Sequence, residues 1–400
     1  MQTEMLRGKL GPPVTGTNEF FNREEELARL IEKITRGESV YISAPRRIGK
    51  TSLMYKAGEE LTREGHTCLF FDLEGYDTPS DWLSKWFVKA VSDKETKLAD
   101  KVSIILKNLR NGMGTSETLT EGFLKGLFDT SNWRDIGNDI FDALVNSLEK
   151  DKRLVVFLDE LAVMIEHFKD KKADQKTEAD FFLSWLRSVQ QKHCDKLSFV
   201  VASSIGLPPL LNKLGLSGRM NSFSTFSLDA WNHETAIQCI HALARGEGMA
   251  ISDDVARCMV ELIGWCSPFY VQLFFDVLKD ECRGRICTCE DAAKIYREKV
   301  VCGQKGNYQL NHLEERLRNS FSKREYILAM QILSYLSKTD EAVAGKELAE
   351  RARSEKYYVD SFQNIMHNLE HDGYIKKLEN GWAFQSGLLK DWWRHRYGDM

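Results

Sequence analysis

The sequence predicts an α/β protein in which a parallel, helix-covered sheet is followed by an all-helical segment and then by a winged-helix pattern. Three observations carry this. Short strands that are apolar on both faces alternate with helical stretches up to about residue 230, the signature of a parallel sheet buried between helices. From His233 to about Val301 the periodicity is helical only. From Lys323 three helices lead to a turn at Asp372-Gly373 and a hairpin around Asn380-Gly381, a strong hairpin turn signal.

Pro12 and Pro13 lie in a polar lead-in read as an irregular arm. Asn22 to Lys33 reads as an amphipathic helix with Leu27, Leu30, Ile31 and Ile34 on one face. Val40 to Ser43 is a short buried strand, followed by a glycine-containing loop and a helix from about Thr51 to Arg63. Thr67 to Leu73 is a second strand. A mostly helical stretch runs on to about Lys152, with Trp82, Trp86 and Phe87 as an apolar stripe and a loop at Gly112 to Thr115. Arg153 to Leu158 is a third strand, Phe181 to Gln191 a helix, Leu197 to Ser203 a fourth strand and Asn221 to Leu228 a fifth. The hairpin pairs Tyr374 to Leu378 with Trp382 to Phe384, and a helix from Leu388 to Tyr397 closes the chain. The expected division is a core over 1–231, a helical segment over 232–310 and a winged-helix segment over 311–400.

A chain of 400 residues exceeds one ordinary core, in keeping with that division. With 42% hydrophobic and 28% charged residues and a net charge of −4, the composition is that of a globular protein, not a nucleic-acid-coating one. No apolar run approaches the roughly 18 residues that span a bilayer. Met1 to Thr17 lacks an apolar signal core, so a cytoplasmic protein with no membrane partner is expected. Nine scattered cysteines fit free thiols in a reducing compartment. Cys282, Cys287 and Cys289 lack the paired knuckles or histidines of a zinc site, and unliganded thiols are expected.

The chemistry concentrates after the first strand. Ala44-Pro45-Arg46-Arg47-Ile48-Gly49-Lys50-Thr51 matches G-x-x-x-x-G-K-[ST] except at its first position, and it lies between a strand and a helix, as the motif requires. In such a loop the backbone N–H groups face phosphates. Lys50 offers a point charge to the β- and γ-phosphates, Thr51 a hydroxyl to Mg²⁺, and Gly49 a close backbone approach. ATP and Mg²⁺ are therefore the expected ligands. Leu154 to Glu160 ends a buried strand in two acids. Asp159 would hold the Mg²⁺ shell, and Glu160 would orient and polarise the attacking water. By itself the pair also reads as a helix cap; the loop upstream favours the catalytic reading. Ser203 and Ser204 end the fourth strand, where one of them would meet the γ-phosphate or the water, or would simply terminate the strand.

Phe20-Phe21-Asn22-Arg23-Glu24-Glu25-Glu26-Leu27, followed by Ala44 to Leu53 with its paired arginines, resembles the archaeal-type ATPases of the STAND/AAA+ group of P-loop NTPases. Their pattern is roughly F-x-G-R-E-x-E-L, then G-P-R-R-x-G-K-T-S-L. Asn22 and Ala44 stand where that pattern has glycine. The resemblance continues through Phe157 to Glu160, Ser204-Ile205-Gly206, Gly264 to Gln272 with Cys266 at a usual glycine, and Phe384 to Tyr397. Residues 93–132 carry no match. The resemblance implies that the fold is a P-loop NTPase sheet of AAA+/STAND type, an all-α lid and a winged helix. It also implies that the helix near Arg23 lines the adenine and that the lid closes over the nucleotide with Pro268 near it. Ile48 and Ser52 belong to the same phosphate-loop set. Arg219 stands where a neighbouring subunit's arginine finger often sits; a solvated loop arginine is the other reading. Arg46 and Arg47 either touch phosphate or a partner, or pair with acids of the N-terminal helix.

Winged helices often read DNA through their third helix, here about Tyr358 to His371, which contains no Lys or Arg. Residues 311–400 hold fourteen Lys/Arg and fourteen Asp/Glu, with Lys376 and Lys377 as the best phosphate contacts. A protein-contact or autoinhibitory role is thus favoured over DNA for this segment, and a protein partner or self-assembly through the core or the winged helix is expected. The expected function is an ATP-hydrolysing switch that acts on a partner protein through the lid and winged helix. The alternatives are a DNA-associated AAA+ ATPase, resembling origin-recognition or transposition ATPases, and a non-catalytic binding module, which the intact Lys50, Thr51, Asp159 and Glu160 disfavour.

Overall fold

A computed structural model describes residues 5–14, 19–92, 133–168, 174–354 and 359–398. The loop expected at Gly112 to Thr115, and the whole of 93–132, lie outside them. The chain forms two compact units. One comprises Glu24–Ser43 and Met54–Phe226; the other comprises Met1–Arg23, Ala44–Leu53 and Ser227–Met400.

The first unit is built on a five-stranded sheet in the order β2-β3-β4-β1-β5. Its strands are β1 (Ser39–Ser43), β2 (Thr67–Asp72), β3 (Leu154–Asp159), β4 (Leu197–Ala202) and β5 (Phe223–Ser227). The β2–β3, β3–β4 and β4–β1 pairs are parallel. Every residue of β3 and β4 is buried, the condition under which both strand faces must be apolar. The flanking helices are α1 (Glu24–Thr35), α2 (Lys50–Arg63, continuing from the other unit), α3 (Pro79–Ser92), α4 (Trp133–Asn146), α5 (Leu161–His167), α6 (Gln175–Lys192) and α7 (Leu207–Leu214). Trp82, Phe141, Phe182 and Trp185 meet in one aromatic core with β3 and β4 residues. Each such fully buried side chain contributes roughly 1.5–3 kcal/mol.

Two helix starts differ from the sequence expectation by two residues or more. The first helix begins at Glu24, not Asn22, because Asn22 and Arg23 adopt φ of 57° and 83°, outside helical geometry. The helix expected at Phe181 begins at Gln175, capped by Asp174, whose carboxylate accepts the Thr177 N–H.

The second unit contains α8 (His233–Gly246), α9 (Asp253–Ile263), α10 (Pro268–Glu281) and α11 (Cys289–Ile295), which runs into a π-helical turn at Tyr296–Val301. After α12 (Gln304–Ser320), α13 (Lys323–Lys338), α14 (Gly345–Ser354) and α15 (Val359–His371) comes an antiparallel hairpin of β6 (Ile375–Leu378) and β7 (Gly381–Phe384), then α16 (Gly387–Tyr397). Trp392, Trp393, Tyr374 and Phe274 lie in its single core. The N-terminal arm is tied into this unit. The Leu6 N–H donates to Ala242 O at 3.1 Å, and the Lys9 N–H to Gln272 Oε1 at 3.1 Å. Among the described residues no helix is long and apolar enough to cross a membrane.

Candidate functional site: a phosphate loop and an acidic strand end

Ala44 to Gly49 follows β1 and opens α2. Ala44 is not among the positive-φ residues, so the usual first glycine is dispensable here. Gly49 has φ +100°, and nothing lies within 4 Å of where a Cβ would stand, so the demand visible in the protein is its backbone angle. Arg47 is also left-handed, at φ 67°, an angle that costs a non-glycine residue about 1–3 kcal/mol. Two contacts hold it there. The buried Ser267 hydroxyl donates to Arg47 O at 3.1 Å, and the guanidinium lies 4.3 Å from the Phe269 ring centroid. Burial, then the neighbouring Arg46 charge, depresses the Arg47 guanidinium from its ordinary value.

Lys50 is buried, and its ammonium donates to Ala44 O at 2.8 Å and Pro45 O at 2.9 Å. Ile48 is buried, Thr51 half-buried, and Ser52 Oγ accepts the Val14 N–H at 3.0 Å. Pro268 occupies the first turn of α10, where a missing N–H is harmless. Arg23 is buried and donates to Asp229 O at 2.6 Å, while its own N–H bonds Asn22 Oδ1. Asn tolerates the left-handed angle, which accounts for its standing where the pattern has glycine. Cys266 likewise needs no glycine: the positive-φ residue of that turn is Gly264, and Cys266 O accepts the Trp231 N–H.

The acids belong to the other unit. Asp159 ends β3, is buried, and accepts the Glu160 N–H on Oδ1 at 3.0 Å. Glu160 precedes α5 with φ 57° and ψ 33° and makes no side-chain cap bond. Its Oε2 instead accepts the Ser204 N–H at 2.7 Å and the Ser203 hydroxyl at 3.3 Å. Register explains the meeting: Leu158 pairs with Val201, so the residues after β3 and β4 emerge side by side. Arg219 lies in a 3₁₀ turn, Ser217–Met220, and is ion-paired with Asp180 of α6.

Some residues around the loop carry no motif. A Cβ on Gly373 would stand 2.8 Å from Pro45 Cβ, so the turn before the hairpin sits directly on the loop. Burial works to raise the adjacent Asp372 carboxyl, yet the Arg316, His371 and Lys50 charges hold it below the usual carboxylate value. In the sequence Asp372-Gly373 reads only as a turn, and Arg316 belongs to no motif. Cys282 and Cys287 are buried with sulfurs 2.8 Å apart, and burial, then Cys282, pushes the Cys287 thiol up to about 12. Among the described residues no group of three or more His, Cys, Asp or Glu is placed to hold a metal.

A family model described as an ATPase domain predominantly from Archaea matches residues 20–232, more than half of the chain. An uncharacterized ATP-binding protein of Methanocaldococcus jannaschii is 30% identical over 150 residues, 36% of this chain. The match spans 40% of that relative. Among solved structures, a Walker-type ATPase of Pyrococcus abyssi is similar with a TM-score of 0.64 and 16% identity, over 96% of this chain and 98% of that one. The ORC2 protein of Aeropyrum pernix is similar with a TM-score of 0.54 and 13% identity, over 97% and 95%. At these identities the structural likeness is one of fold.

Proposed function

The chain belongs to the family of ATPase domains found predominantly in Archaea and is an ATPase, and on that premise we propose that it works as a Mg²⁺-dependent switch of STAND/AAA+ type. In this reading residues 232–310 act as a lid and residues 311–400 as a winged-helix segment that contacts a protein partner. The observation that carries the proposal is the seating of the phosphate loop. Ser267 and Phe269 grip Arg47, Gly373 lies on Pro45, and Lys50 is bonded to the loop's own carbonyls. A loop gripped this way cannot accept a triphosphate without rearranging its bonds, so binding is felt by the segments that grip it. Such a device shifts state only if the two states differ in affinity for the nucleotide.

The reaction is attack of water on the γ-phosphorus, giving ADP and phosphate. Lys50 leaves Ala44 O and Pro45 O to neutralise phosphate oxygens, and the loop N–H groups with the α2 N-terminus hold the rest. Glu160 accepts a proton from the attacking water. The Ser203 hydroxyl and Ser204 N–H fix the carboxylate that does so. A hydroxyl at Thr51 and a carboxylate at Asp159 are the hard oxygen donors Mg²⁺ takes, and one Asp159 oxygen is oriented by the Glu160 N–H. Held by Thr51 and Asp159, Mg²⁺ would supply charge neutralisation to the phosphates. Arg23, beside Asp229, is assigned to the adenine side, and Arg219 remains a candidate finger for a second copy.

The switch is tested by small-angle scattering of the full chain with and without ATP·Mg²⁺. A change in the profile that ADP does not reproduce is expected; identical profiles for all three states would remove the switch and leave a plain ATPase.

A further inference from the structure

Buried polar groups nearly always have hydrogen-bond partners, and a cluster of exceptions calls for an explanation. Four exceptions gather beside the phosphate loop: Arg47 Nη1, His312 Nε2, Arg316 Nη1 and His371 Nε2 are buried without a partner. His312 and Arg316 stand four residues apart on α12, hence on one face of the helix. That face is tied to the loop at two points. The His312 ring lies 6.2 Å from Phe269, the ring on which Arg47 rests. Arg316 donates to Asp372 through Nε at 3.2 Å and Nη2 at 3.5 Å, and the next residue, Gly373, packs on Pro45.

His312 and Arg316 bring different chemistry to this face. Burial, then Arg47 and Arg46, pushes the His312 imidazole down to about 3, so it is neutral at any ordinary pH. Arg316 brings a planar guanidinium with its N–H donors in a fixed fork. It is only 7% exposed, and its one acid partner engages Nε and Nη2, leaving the Nη1 edge of the fork unused. A half-used guanidinium fork at a phosphate loop has the geometry that recognises phosphate oxygens.

The geometry points to Arg316 as a further nucleotide-binding residue, which takes the terminal phosphates of a nucleoside di- or triphosphate with its free edge while Asp372 holds the guanidinium in position. This rests on reading Ala44 to Thr51 as the nucleotide loop. It assigns to α12, well outside the ATPase-family match, a direct part in binding.

The test is isothermal titration of the full chain with ATP and with ADP, each with and without Mg²⁺. Arg316→Ala is expected to weaken binding by about 10- to 100-fold, the worth of a charge-assisted bond. Arg316→Lys should recover only part of this, since lysine has no fork. Arg316→Ala also strands Asp372 as a buried lone acid, so the double variant Arg316→Ala/Asp372→Asn is measured beside it, with thermal melting as the folding control. The same loss in a double variant that melts like the wild type supports the assignment. An unchanged dissociation constant in that variant overturns it and leaves Arg316 a structural ion pair. Lys50→Ala is the separate control: if it binds ATP as the wild type does, the loop reading itself falls, and this inference with it.

Discussion

Lys50 and Glu160 stand at the two ends of the proposed reaction, and different parts of the molecule hold them. Lys50 and its loop belong to the unit that contains everything after residue 227, and their restraints come from α10 and from the turn before the hairpin. Glu160 belongs to the sheet unit and is restrained by the end of β4 alone among the bonds described for its side chain. The restraints also differ in kind. The loop is held by carbonyl acceptors, an aromatic face and a close van der Waals contact, all of which a phosphate can displace or shift. The carboxylate is held by a backbone N–H and a hydroxyl at the end of a fully buried strand, which nothing short of moving the sheet will shift. Binding and turnover should therefore be separable by mutation, with the C-terminal segments felt mainly in binding.

The largest expected effect breaks the acidic end. Glu160→Gln should lower kcat by about 10²- to 10⁴-fold, the usual worth of a general base, with ATP affinity within about 2-fold of wild type. Phosphate release with an equilibrium titration reads both numbers, and a parallel loss of affinity would mean that the two halves are not separable. Next, Lys50→Ala should lower kcat/KM by about 10²- to 10³-fold, as loss of a preorganised phosphate donor does, and should weaken ATP binding as well. Full retention of binding would move the nucleotide elsewhere. The smallest effect sharpens the comparison. Gly373→Ala meets both the φ of 79° and Pro45, and should cost about 1–3 kcal/mol of overpacking, lowering the melting temperature by several degrees. Its ATP affinity should change while kcat at saturating ATP does not; the reverse pattern would put the turn in control of the chemistry.

Much of this was legible in the sequence because local rules suffice for it. Leu154 to Asp159 reads as a buried strand from its apolar run, and Gly49-Lys50-Thr51 as a helix opening from its context. The boundaries that slipped did so for local reasons of a different kind. Asn22 and Arg23 look helical by composition but sit at positive φ, and the polar start of α6 has no apolar period to reveal it. What no pattern carried is tertiary. Arg316 and Asp372 are 56 residues apart, and Ser267 reaches Arg47 across 220, so neither pairing leaves a spacing to read. Ser203 and Ser204 were visible as candidates at a strand end, yet their attachment to Glu160 depends on the register of β3 against β4.

The bonds from Lys50 to Ala44 O and Pro45 O occupy the ammonium that the proposed reaction needs at the phosphates. In the proposed switch, a molecule with its lysine turned back onto those carbonyls would have a loop that is not ready, and the affinity measured for a nucleotide would be the intrinsic affinity scaled down by the ready fraction. Anything that loosens the hold of the α10 start on Arg47 would raise that fraction while leaving Asp372 to hold Arg316. A partner docking far from the phosphates would then tune how much ATP the protein needs before it responds, and the set point of the switch would lie in the C-terminal segments that grip the loop.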